Sequence, residues 1–409
     1  MRDRTPGFVG ERLREGREAR GLTQVALAEI LGVSKQAVSL YESGRHSPQP
    51  SVFDQIISVL NLPPVFFLRG RPEISTSTVY YRSMSATTQS AMNRAEHKAR
   101  WSEEIALHLE RHILFPTIRI PNLCADSSLG DLTDEEVEAA ARETREDFGL
   151  GDGAVPNMVH LLEGRGVLVL RQVLDSEKID SFSYWSEALH RPVVVLGADK
   201  ASAFRSRLDA AHELAHLVLH RHATVAQLKN SQILARIEKE AYAYGGAFLM
   251  PMPAFADDVL VASLDSLVAL KRKWNVSVGA MLKRIEGLGL WPETTMQRLW
   301  RNYGRSGYRT REPLDDRTAL EQPVLAKQAF EMLAKSARGS LAAMLGQMPI
   351  HGKEIERLFG LDDGFISTVL EEHPLGIRNL PPTGSQPPIT AANVIQFPSR
   401  RRFMGEEEA

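Results

Sequence analysis

One cysteine, Cys124, stands in 409 residues. A disulfide within the chain is thereby excluded, and so is a zinc finger built on several thiolates. A reducing compartment, the cytoplasm, is the expected location. Long apolar runs are missing as well: nothing approaches the roughly 18 consecutive apolar residues of a membrane helix. The opening Met1-Arg2-Asp3-Arg4-Thr5-Pro6-Gly7 lacks the apolar core of a secretory signal, so no membrane partner is expected. Neither sign of charge prevails, with 49 Lys plus Arg against 51 Asp plus Glu, and overall charge names no partner. No internal repeat is visible. Hydrophobic residues make up 43% and charged residues 24%, the balance of a globular protein. The length accommodates two or three domains.

The first seventy residues read as short helices with clear punctuation. Phe8, Val9, Leu13 and Ala19 mark a helix that ends at Gly21. Thr23 caps a second helix over 24–31, Gly32-Val33-Ser34 makes a tight turn, and Ser34 caps a third over 35–43 that Gly44 stops. A fourth covers 51–60, and Pro63-Pro64 open a short piece ending at Leu68. Helix, glycine turn and polar second helix are the layout of a helix-turn-helix, with Ala28, Val33, Val38 and Leu40 as its small core. Gln24, Lys35, Gln36 and Ser39 then face outward, where Gln reads adenine and Lys and Ser hold phosphates. Residues 1–71 carry ten basic and seven acidic side chains, a net +3, the sign that suits DNA.

The run Leu22-Thr23-Gln24, Leu27-Ala28, Leu31-Gly32-Val33-Ser34, Val38-Ser39, Tyr41-Glu42, Gly44-Arg45 and Pro48 resembles the Xre/Cro-type repressor helix-turn-helix. The resemblance implies a homodimer on a palindromic double-stranded operator, with Gln24, Lys35, Gln36 and Ser39 facing the DNA. The plainer alternative is a small bundle used for protein contact.

Ser85 is a candidate cap for a long connecting or dimerising helix that reaches Leu114. Thr133 caps 134–148, Pro156 opens a helix to Glu163, and 167–170, 179–183 and 192–196 read as strands. A helix over 201–220 follows and carries His212-Glu213-Leu214-Ala215-His216. Histidines four residues apart share one helix face and can bind one zinc ion. Glu213, beside the first of them, stands where a general base for water belongs. A third ligand is needed, and 237–251 is a helix that can return one. Glu240, Glu238, His220 and His222 are the candidates. Glu238 and Glu240 point about 200° apart on a helix and cannot both face one ion; His220 lies a turn past the pair and reads as a supporting or packing residue.

This motif, with Leu217 and Leu219-His220 behind it, Glu238, Glu240-Ala241 and Leu249-Met250-Pro251 resembles the ImmA/IrrE family of metallopeptidases over 155–255. The resemblance implies zinc held by His212, His216 and Glu240, with Glu213 catalytic. Tyr242 stands where these proteins usually have Asn. Tyr242, Tyr244, His220 and Arg205 are open candidates for stabilising an oxyanion.

Helices over 264–273 and 278–288 mimic a second helix-turn-helix, but their turn lacks the glycine and they read as structural. The basic stretch 298–311, with Trp300, Tyr303 and Tyr308, reads as a solvated edge with packing aromatics. Further helices are expected over 321–337 and 352–370. The expected fold is mainly α with a small α+β domain. An all-α helix-turn-helix (1–71) and a helical linker (72–150) precede a zincin-like α+β domain with a short sheet and the HExxH helix (151–255). A helical region (256–371) and a flexible tail (372–409) follow. The expected function is a DNA-binding transcriptional regulator with a zinc metallopeptidase domain that cleaves a regulatory protein such as a repressor under stress. The alternative is a one-component regulator whose peptidase-like domain senses a small ligand without proteolysis.

Overall fold

Caps and turns set the first five helices of the computed structural model, which describes residues 5–70, 80–81, 89–123, 131–175, 179–199, 202–372 and 395–396. These are α1 (Gly10–Ala19), α2 (Gln24–Leu31), α3 (Lys35–Glu42), α4 (Pro50–Leu60) and α5 (Pro64–Leu68). Thr23 and Ser34 accept from the backbone N–H of Ala26 and Ala37. Gly32 turns between α2 and α3 at φ 63°, a conformation glycine adopts without strain. Leu27, Ala28, Leu31 and Val38 are buried against Phe53, Ile56, Phe66 and Phe67, the core expected of a helix-turn-helix.

A two-residue strand, β1 (Tyr80–Tyr81), precedes α6 (Gln89–Leu109) and β2 (Ile113–Leu114). The proposed cap Ser85 and the tail from 373, apart from 395–396, lie outside the described residues. α6 stops at Leu109 rather than Leu114, and Ile113 is buried in a strand instead. After α7 (Asp134–Asp147), with its Thr133–Glu136 capping box, and α8 (Met158–Gly164) come β3 (Leu168–Gln172), β4 (Ser181–Ser186) and β5 (Arg191–Gly197). The sheet order is β1-β4-β5-β3, with β3 parallel to β5 and both other pairs antiparallel.

Alternation along the strands divides the interior in two. Val169, Val194 and Leu196 pack on α9 (Ala203–Leu219) and, beyond α10 (Val225–Leu228), on α11 (Ser231–Leu249). Leu168, Leu170, Phe182, Tyr184, Val193 and Val195 pack on the opposite side with α6, the first five helices and the last helices of the chain. α12 (Ala254–Asp258), α13 (Leu264–Trp274), α14 (Val278–Gly287) and α15 (Glu293–Arg305) extend the α9–α11 side. Much of the basic 298–311 stretch is α15, and Tyr303 meets Trp300 and Tyr308 edge-on. α16 (Leu325–Ser336), α17 (Arg338–Gly346), α18 (Gly352–Phe359) and α19 (Phe365–Glu372) complete the other side, and β6 (Ile395–Gln396) pairs parallel with β2. Gly360, at φ 59°, splits the single helix expected over 352–370 into α18 and α19.

Polar contacts tie the N-terminal helices to this second side. Trp101 donates to Glu15 at 2.7 Å, Arg20 pairs with Glu354 at 3.2 Å, and Arg69 donates to the Gln347 carbonyl at 2.8 Å. A buried carboxyl anchors α16. Glu163 accepts from Val324 and Leu325 at 2.9–3.0 Å, and burial pushes its pKa up from 4.5 to about 7. The folded carboxyl therefore keeps its proton to higher pH than an unfolded one. Its contribution to stability is fullest below about 4.5 and is lost as pH rises through about 7. Glu163→Gln, neutral throughout, is expected to gain in melting temperature relative to the parent between pH 5 and pH 8. Parallel thermal melts check this; an unchanging difference would contradict it.

Candidate metal centre

α9 is buried at every position from Asp209 to Leu219, so its polar side chains must find partners within the protein. α11 crosses close over it. A Cβ on Gly245 would come within 3.2 Å of the His212 backbone nitrogen, so any side chain there would crowd the crossing. The close approach brings side chains of both helices together.

His212 and His216 present Nε2 atoms 3.0 Å apart. Glu238 reaches them from α11, with Oε2 3.3 Å from His212 Nε2 and Oε1 3.6 Å from His216 Nε2. Donors about 2.0–2.1 Å from a tetrahedral zinc ion sit about 3.3–3.5 Å from one another, so this spacing fits one. Burial, with His212 and His220 beside it, holds the His216 pKa well below the usual imidazole range, leaving a neutral ring with a lone pair to offer. Among the described residues this is the one His/Cys/Asp/Glu group so arranged.

Glu240, expected as the third ligand, is placed elsewhere. Its Oε2 lies 2.9 Å from His220 Nε2, and its Oε1 accepts the Leu132 backbone N–H at 2.9 Å. The helical phase is the reason: Glu238 and Tyr242, one turn apart, share the face toward His212, and Glu240 points away from it. His220, read as a supporting or packing residue, lies with Nδ1 3.0 Å from His216 Nδ1. A ligand role for His216 Nε2 puts its proton on Nδ1. That proton is donated to His220 Nδ1, and His220 Nε2–H is donated to Glu240, an outer arrangement that fixes ring orientation. His222 is exposed beside Asn122, 3.0 Å from its amide.

Glu213 turns toward the sheet. Its two oxygens accept from Ser181 and Ser183 at 2.6 Å each. Complete burial raises its pKa to about 7, against the lowering influence of His212 and the two hydroxyls. Sequence reasoning missed these serines, though a signal existed: in Ser181-Phe182-Ser183 the alternation of a strand puts both hydroxyls on one face. Of the four oxyanion candidates, Tyr242 lies at the centre, its ring edge-on to His212 at 4.7 Å and partly exposed, while His220 is buried with both ring nitrogens engaged by His216 and Glu240. Tyr244 is buried against Phe248, and Arg205 is bonded to the carbonyls of Tyr308 and Arg309.

On the N-terminal helices Lys35, Gln36 and Ser39 are exposed along α3. Gln24 is half-buried, and its amide donates to Glu42 at 2.7 Å, a carboxylate also paired with Arg17. The site thus keeps three side chains on one exposed helix, with the fourth braced against that helix's end. Among the described residues no helix is long and apolar enough to cross a membrane.

Comparison with known proteins gives a family match for each of the two regions. Residues 162–286 match the IrrE N-terminal-like domain, a peptidase family, and residues 9–65 match a helix-turn-helix domain. The chain is 33% identical over 70 residues to y4aM of Sinorhizobium fredii, an uncharacterized HTH-type transcriptional regulator, covering 17% of this chain and 49% of that protein. It is 31% identical over 63 residues to YonR of Bacillus subtilis, a prophage-derived HTH-type regulator, covering 15% of this chain and 58% of that one. An HTH-type regulator of Sinorhizobium medicae is 31% identical over 98 residues, 21% of this chain and 70% of that protein. The chain thus spans about half the length of the first two relatives.

Proposed function

Because the chain belongs to the HTH-type transcriptional regulators and carries an IrrE-like peptidase domain, we propose that it is a DNA-bound regulator whose central domain hydrolyses peptide bonds. One observation carries the reading: two neutral-capable imidazoles and a carboxylate converge between α9 and α11, and Glu213 is held close behind them. His212, His216 and Glu238 would hold zinc, with Glu240 acting through His220. Zinc, when bound, polarises a carbonyl and makes a water more acidic. Glu213 takes a proton from the attacking water and passes it to the leaving amine, with Ser181 and Ser183 fixing its carboxylate. Tyr242, part-exposed with its ring edge-on to His212, supplies a hydroxyl for the oxyanion.

The regulator works where its DNA lies, in the cytoplasm, as a homodimer on a two-fold operator. Its protein substrate is a regulatory protein such as a repressor. A second reading rests on Glu213, both of whose oxygens are occupied by serines; a regulator keeping the peptidase scaffold as a ligand-sensing module could hold the residue so. Turnover of a cleavable peptide by the parent distinguishes the two, and Tyr242→Phe tests the oxyanion role. Under the hydrolytic reading it lowers kcat about 10²–10³-fold with metal content unchanged. Steady-state kinetics on a cleavable reporter peptide, with zinc measured on the same sample, tests it; an unaltered kcat removes Tyr242 from the mechanism.

A further inference from the structure

The sheet ends, beside the metal centre, on a strand contributed from outside the central domain. β4 carries the two serines that hold Glu213, and its outer neighbour is β1, the Tyr80–Tyr81 segment that joins the DNA-reading helices to the rest of the chain. The pairing is antiparallel, with Tyr80 opposite Ser183 and Tyr81 opposite Phe182. Paired residues of antiparallel strands have Cα atoms about 4.5–5.5 Å apart. Tyr80 therefore lies one strand spacing from the residue whose hydroxyl grips Glu213, and Glu213 adjoins the ligand His212 in sequence.

A sheet edge is a template for an extended peptide, since its unpaired N–H and C=O groups accept one through the main chain. A peptidase that binds its substrate in this way needs an open edge next to its general base. Among the described residues β4 is the strand that meets this condition, and the chain's own backbone is already seated on it. β1 is two residues long, too short to be a stable part of the sheet for its own sake.

We propose that the first substrate of the metal centre is this chain itself, cut at Tyr80–Tyr81 after docking as an added strand on β4. The proposal rests on the hydrolytic reading above. Water adds its hydroxyl to the Tyr80 carbonyl carbon, the bond to the Tyr81 nitrogen breaks, and the water's remaining proton goes to that nitrogen through Glu213. The products are a fragment ending at Tyr80, which contains the DNA reader, and a fragment beginning at Tyr81, which contains the metal centre. They stay packed through the Trp101–Glu15 and Arg20–Glu354 contacts, so the cut replaces a covalent link with a separable interface.

The test incubates the full-length protein with zinc and follows intact mass over time, beside a mixture of unrelated peptides and a synthetic peptide of residues 76–85. The expected result is a cut at Tyr80–Tyr81 in both the chain and the synthetic peptide, absent from Glu213→Gln. Tyr81→Pro, which cannot donate to the strand ladder, should slow self-cleavage at least about tenfold and leave turnover of the unrelated peptides unchanged or faster. Hydrolysis of the unrelated peptides with an intact chain would overturn self-processing and leave the hydrolytic reading standing. Hydrolysis of nothing would overturn both. A proline variant cut as fast as the parent would overturn the docking on β4.

Discussion

Glu213→Gln is expected to bind zinc as the parent does and to hydrolyse peptides about 10²–10⁴-fold more slowly. The carboxamide matches the carboxylate in shape and can still accept from one of the two serines, but it cannot take a proton from water. Glu213 is not one of the three converging donors His212, His216 and Glu238, so zinc binding is expected to survive. The burial of Glu213 matters here. A fully buried carboxyl with a pKa near 7 is poised between accepting and releasing a proton at neutral pH, the condition general acid–base work favours. Metal content by mass spectrometry and kcat/KM on one preparation check both halves. Equal rates would move the chemistry away from Glu213.

Replacing Gln36 and Ser39 together by Ala should cost operator affinity about 10-fold or more, since a good Gln contact to a base edge is worth about 1–3 kcal/mol and the phosphate contact of Ser39 is lost with it. Both are exposed on α3, so the fold and the metal centre are expected to survive. Lys35→Ala should differ in kind: weaker binding on every sequence, and a salt dependence reduced by about one counterion. Footprinting and salt titrations on one operator separate the two. An unchanged footprint in the double variant would show that α3 is not the reading helix.

The DNA-reading half was legible because its signals are local. Thr23, Ser34 and Gly32 each satisfy a backbone demand within four residues, and such demands are written where they are met. The histidine pair was legible for the same reason, one helical turn being a local distance. The third donor was not. Glu238 and Glu240 are two residues apart, and only the rotation of α11 against α9, fixed by the close crossing at Gly245, decides which one faces the histidines. That rotation belongs to packing and leaves no mark on the spacing. The serines under Glu213 come from a strand some thirty residues upstream, and the pairing of β1 with β4 spans about a hundred. Such contacts are set by how the sheet closes. The break of 352–370 at Gly360 was locally signalled and overlooked, since a helix–glycine stop reads the same there as at Gly44.

Zinc binding by Glu238→Ala and Glu240→Ala, measured side by side with the parent at one pH, bears most directly on the metal centre. Loss of the ligand Glu238 should weaken binding far more than loss of Glu240, whose removal through His220 is expected to cost about 10–100-fold. The predicted order is parent tightest, Glu240→Ala intermediate and Glu238→Ala weakest. Unchanged affinity in Glu238→Ala, with binding lost in Glu240→Ala, would contradict the account and return the third ligand to Glu240.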